Sequence, residues 1–144
     1  METPLLAIRS ALPRIVSLAT RDKLLLWQTV FLHYMGFAMV KILFIEHSGQ
    51  EHPVEVSPGV SVMEAAINNA VPGIDADCGG FCSCATCHVF VNEQWLDKLP
   101  PLGPNEDAML SLSPDRRENS RLSCQIPVVD ALDGLVVTTP EFQF

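Results

Sequence analysis

Four cysteines fall within the ten residues from Cys78 to Cys87, in "CGGFCSCATC", and the fifth, Cys124, follows after a gap of 36 residues. Thiols at that density cannot all be core fillers, so whatever they hold dictates how the surrounding chain must fold. Cys84-Ala-Thr-Cys87-His88, taken alone, reads as an attachment signature for c-type haem. Zinc, disulfides and an iron-sulfur cluster are the other three readings of the same stretch.

The spacing narrows the choice. Cys78, Cys84 and Cys87 are separated by five and two residues, so three thiols on one loop and a fourth on a distant strand can enclose a cluster and leave one side of it near the surface. Gly79 and Gly80 remove the Cβ atoms that would keep the backbone away, and Ser83, Ala85 and Thr86 are small, so amide N–H groups can point at sulfur. Such hydrogen bonds matter because a two-iron cluster on four thiolates carries about −2 charge, about −3 when reduced, and they tune how readily the electron is accepted.

A chain of 144 residues, 48% hydrophobic and 18% charged, is sufficient for one globular domain with a real core. Its net charge of −8 is unevenly spread: residues 1–38 hold four basic and two acidic side chains, residues 39–144 five basic and fifteen acidic ones, so the body stands at −10. That balance excludes a nucleic-acid footprint and favours a protein partner with a basic patch.

Residues 1–38 read as an extension. The 17 uncharged residues from Leu24 to Val40 fall short of the roughly 20 apolar residues of a spanning helix, and Gln28, His33 and Tyr34 weaken them further. A signal peptide ending near Gly36-Phe-Ala38 and an Arg-bearing transit peptide are the alternatives, the second opposed by Glu2 and Asp22. The preferred expectation is a true start at Met35 or Met39, because the folded pattern begins at Met39. With no firm anchor, the expected location is cytoplasmic.

From there, "VKILFIEHSGQEHPVEV" gives two strands about a Ser48-Gly49-Gln50 turn. Ser61 and Glu64 form a capping box for a helix on which Val62, Ala65, Ala66 and Asn69 recur at helical spacing. A strand resumes over His88 to Asn92. A helix starts near Asn105, with Met109, Leu110 and Leu112 facing inward, and further strands cover Arg121 to Ile126 and Leu135 to Thr139. The sum is an α+β domain with helices on one side of a small mixed sheet.

Cys78-x5-Cys84-x2-Cys87-x36-Cys124, with "DCGG", "CATCHVFVNE" and "SRLSCQI", closely resembles the adrenodoxin/putidaredoxin-type 2Fe-2S ferredoxins, and among them the bacterial members that serve cytochromes P450. The resemblance covers nearly all of residues 39–144. It implies a β-grasp fold, one 2Fe-2S cluster on Cys78, Cys84, Cys87 and Cys124, and a non-enzymatic carrier, working as a monomer. Electrons would pass from an FAD-containing, NAD(P)H-dependent ferredoxin reductase to a cytochrome P450. Iron-sulfur cluster assembly as the electron acceptor, or a sensing role without shuttling, are the alternatives.

The rival chemistries fare worse. A c-type haem leaves Cys78 and Cys124 without a use, zinc prefers two close pairs where the chain has one CxxC, and five cysteines cannot all pair in disulfides. Cys82 reads as a passive loop residue, His88 as a structural histidine, and Trp27 and Trp95 as packing. For partner docking the candidates are Asp77, Asp97, Glu106, Asp107 and the aromatic Phe144.

Overall fold

The computed structural model describes residues 38–143. Chain order is β1 (Val40–Ile45), β2 (Glu51–Val56), α1 (Val62–Asn68), β3 (His88–Val91), a 3-10 turn (Glu93–Lys98), α2 (Pro104–Leu110), β4 (Ser120–Leu122), 3-10 turns at Ser123–Gln125 and Asp130–Leu132, and β5 (Leu135–Thr138). The strands form one sheet in the order β2-β1-β5-β3-β4. Only β1 and β5 run parallel, with Ile42 opposite Leu135 and Phe44 opposite Val137; the other three pairings are antiparallel. This is the β-grasp arrangement, an α+β fold.

Side-chain period explains the core. Val40, Ile42 and Phe44 alternate inward on β1, and Leu135 and Val137 do the same on β5, as a half-covered strand requires. The β1–β2 hairpin closes through Glu46 N to Gln50 O and Gly49 N to Glu46 O, both 2.8 Å, with Gly49 at φ +91° where only glycine sits without strain. Pro53, which has no N–H to give, lies on β2 at the sheet edge, the place a strand tolerates it.

The capping box forms as the residues dictate. Glu64 N donates to Ser61 Oγ at 3.1 Å and Ser61 N to Glu64 Oε2 at 2.7 Å; the amide of Ser61 holds the Glu64 carboxyl below its usual range. Val62, Met63, Ala65 and Ala66 are buried, whereas Asn69 is exposed and caps the helix end by donating to Ala65 O. Val62 N donates to Ile126 O at 2.9 Å, which seats α1 against the turn that carries Cys124.

Several expectations need correcting. The strand over Arg121 to Ile126 stops at Leu122, and Cys124 sits in a 3-10 turn. Leu112 lies beyond the end of α2 and is 70% exposed. All four residues of β3 are buried instead of alternating, because the second face is covered as well: Ser113 and Ser120 close on His88, and the Arg117 guanidinium lies 4.0 Å over the Phe90 ring. Trp95 is buried under Lys98. Residues 1–37, including Trp27 and most of the apolar run, and Phe144 lie outside the described residues; Val40, the last residue of that run, is buried in β1. No helix among the described residues is long and apolar enough to cross a membrane.

Candidate metal centre

The loop between α1 and β3 is shaped by an unusual run of backbone angles. Ala76, Gly79, Gly80, Cys82 and Ala85 all adopt left-handed φ, between +52° and +99°. Two glycines accept this freely, but an L-residue there costs of order 1–2 kcal/mol, so Ala76, Cys82 and Ala85 stay in place only because the surroundings demand it. Alternation of left- and right-handed residues turns successive amides to one side and builds a concave, anion-holding backbone.

Thr86 organises that backbone. Its carbonyl accepts from Asp75 N and Ala76 N at 3.0 and 3.1 Å, and its hydroxyl accepts from Asp77 N at 2.9 Å and lies 3.0 Å from Cys84 Sγ. Cys78 N donates to Cys84 Sγ at 3.3 Å. Sequence reasoning valued Thr86 only for being small and missed this hub; the hydroxyl two residues after Cys84 was the available signal.

Cys124 is brought alongside by its neighbour. Both the amide and the hydroxyl of Ser123 donate to Cys87 O, at 2.9 and 2.8 Å, so the turn is pinned to the loop despite 36 intervening residues. Gln125 Nε2 then donates to Cys124 Sγ at 3.3 Å. A Cβ on Gly80 would stand 3.4 Å from Met63 Cε and 3.8 Å from Cys124 Cβ, ordinary contact distances that place the loop beside both α1 and this turn.

These surroundings favour the thiolate at Cys78 and Cys124. Cys78 is lowered to about 6, chiefly by the amide of Ser83 with help from that of Gly80. Cys124 is lowered to about 7, first by the thiol of Cys87 and also by Gln125 and the amide of Cys82. The same S–H···S contact, reinforced by burial, pushes Cys87 up. Cys82 is raised, first by burial and then by neighbouring thiolates and Glu106, as suits a bystander.

All five cysteines are free thiols, which fits a metal centre and not a disulfide scaffold. Among the described residues no three His, Cys, Asp or Glu side chains converge on a single ion; a two-iron centre divides its four thiolates between two metals and needs no such point. The donor set, the inward amides and the lowered thiols fit a 2Fe-2S group.

His88 follows Cys87 and is 1% exposed. Its Nε2 lies 2.8 Å from Ser120 Oγ and its Nδ1 3.3 Å from Ser113 Oγ. Burial pushes it down to about 4, so it is a neutral, satisfied histidine.

The candidate docking acids separate. Asp77 and Asp97 are exposed, and Asp107 is half-exposed in an ion pair with Arg116. Glu106 is corrected: it is 3% exposed and takes a two-pronged contact from Arg121, Nε to Oε1 at 2.8 Å and Nη2 to Oε2 at 3.1 Å, with Leu122 N adding a third bond at 2.9 Å. A carboxylate so enclosed cannot meet a partner. Its counter-charge lies fifteen residues away, out of reach of any local pattern.

A β-grasp domain that pins a cysteine-rich loop to a distant cysteine-bearing turn has the frame of an iron-sulfur protein. Residues 45–129 match the model of the 2Fe-2S iron-sulfur cluster binding domain. The chain is 50% identical over 103 residues to the 2Fe-2S ferredoxin CtmE of Castellaniella defragrans, covering 72% of this chain and 96% of that one. The crystal structure of a ferredoxin from Rhodopseudomonas palustris HaA2 superposes with TM-score 0.70 at 48% identity, covering 72% and 99% of the two chains. A covalent putidaredoxin reductase–putidaredoxin complex contains a chain 46% identical, with TM-score 0.67 and coverage of 69% and 97%. This chain therefore belongs to the 2Fe-2S ferredoxins of putidaredoxin type and binds a 2Fe-2S cluster.

Proposed function

We propose that Cys78, Cys84, Cys87 and Cys124 hold the cluster, and that residues 39–144 act as a one-electron carrier from an FAD-containing, NAD(P)H-dependent ferredoxin reductase to a cytochrome P450. The observation that carries the reading is the pinning of the Cys124 turn to the Cys87 carbonyl by Ser123, which joins the distant thiol to the loop. When bound, the cluster supplies a one-electron couple. The chain's own residues do the rest: amides of Gly80, Cys82 and Ser83 answer thiolate charge, and exposed Asp77 and Asp97 contribute to a body of charge −10 that steers a basic partner. Asp107 adds its carboxylate from its ion pair with Arg116, and the terminal Phe144 serves the P450 as an apolar anchor.

A carrier that meets two partners in turn works as a monomer in the cytoplasm, through small polar interfaces that release quickly. Residues 1–38 stand apart from this role as an extension. The test is reduction by putidaredoxin reductase at rising salt. Raising ionic strength from about 0.05 to 0.5 M shortens the Debye length from roughly 14 to 4 Å, and the second-order rate is expected to drop severalfold; a rate indifferent to salt would contradict electrostatic steering.

A further inference from the structure

We propose that Phe81 is the apolar anchor through which this chain docks on its flavoprotein reductase, an assignment that rests on the carrier reading above. Phe81 is 85% exposed, more than any other large apolar side chain among the described residues. A single exposed apolar residue is ordinary on a protein surface. Its place on the loop is what distinguishes this one.

Of its four nearest neighbours in the chain, Gly79, Gly80 and Cys82 have left-handed φ. Gly79 N donates to Ala76 O at 2.9 Å, Cys78 N donates to Cys84 Sγ at 3.3 Å, and Cys82 packs against the core. Phe81 is thus carried on a backbone fixed on both sides, within three residues of two proposed ligands, Cys78 and Cys84. A partner that buries this ring is brought up against the backbone that borders the cluster.

The same ties lower the cost of docking. An aromatic ring on a backbone already held by hydrogen bonds loses little freedom when it binds, and buried aromatic anchors dominate interface energetics. Exposed Asp75 and Asp77 precede the ring on a body of charge −10. The surface it fits is an apolar recess rimmed by basic side chains. The reductase is the occupant we assign, because a 46% identical chain occurs in covalent complex with putidaredoxin reductase and electrons must enter beside this loop.

The experiment uses full-length holoprotein, putidaredoxin reductase as the flavoprotein probe, and cytochrome c as electron acceptor. Phe81→Ser is expected to raise KM for the ferredoxin in the reductase step about tenfold, equivalent to about 1.4 kcal/mol. Its kcat, visible spectrum and reduction potential stay at wild-type values, and Phe81→Leu recovers most of the loss. A KM within twofold of wild type would overturn the assignment, as would an effect confined to the acceptor step or one accompanied by a shifted potential, which would mark a role in the loop. A wild-type protein that the reductase does not reduce would overturn the carrier reading and this assignment together; a reduced wild type with an indifferent variant overturns this assignment alone.

Discussion

The thiol loop from Ala76 to Cys87 and the buried seam between α2 and β4 both stabilise charged side chains, and they do so by opposite means. In the seam, Glu106 meets a guanidinium and an amide from the chain itself, and Arg121 also donates to Pro100 O at 2.9 Å. Every charge there is answered within the polypeptide. In the loop, thiols lowered to about 6 and 7 meet backbone amides, neighbouring thiols, the Ser83 side chain and the carboxamide of Gln125, none of them cationic. The balancing positive charge belongs to the metal. The seam is therefore a structural feature, whereas the loop is complete only with its prosthetic group.

Breaking the loop gives the largest expected effect. Cys78→Ser, Cys84→Ser, Cys87→Ser and Cys124→Ser should each lose the cluster, read as loss of visible absorbance and of bound iron, while Cys82→Ser keeps both. A cluster retained without one of the first four would remove that residue from the ligand set. Breaking the seam should cost less but act on the whole domain: Arg121→Ala strands the buried Glu106 carboxylate and should destabilise by about 3–5 kcal/mol in denaturant titration. The double change Arg121→Met with Glu106→Leu should recover most of that, because an apolar pair of similar volume leaves no unanswered charge.

Thr86→Val sharpens the comparison at smaller scale. It removes the acceptor of Asp77 N and the hydroxyl beside Cys84 Sγ, at a cost of about 1–3 kcal/mol for the unsatisfied amide. Loss of a hydrogen bond to a proposed ligand should also lower the reduction potential, which Glu106 and Arg121 variants that still fold should leave nearly unchanged.

What the sequence made legible follows the same division. Features built from near neighbours could be read directly: the Ser61 and Glu64 capping box, the hairpin about Gly49 and the cysteine spacing all depend on residues a few positions apart. Features that depend on distant partners could not. Glu106 looks like a surface acid on a short helix until Arg121 closes on it, and β3 looks like an alternating strand until Arg117 covers Phe90. Cys124 reads as a strand residue because Arg121 and Leu122 before it are, but a 3-10 turn aims its sulfur at the loop. The left-handed angles of Ala76, Cys82 and Ala85 have no local signature either, since the residue types at those positions ordinarily avoid them.

The central claim is that this loop and turn hold one two-iron cluster, and metal and sulfide analysis of the purified full-length protein tests it most directly. The account predicts about two irons and two acid-labile sulfides per chain, with a rhombic electron paramagnetic resonance signal after one-electron reduction. Stoichiometric zinc, or a haem covalently attached at Cys84 and Cys87, would contradict it.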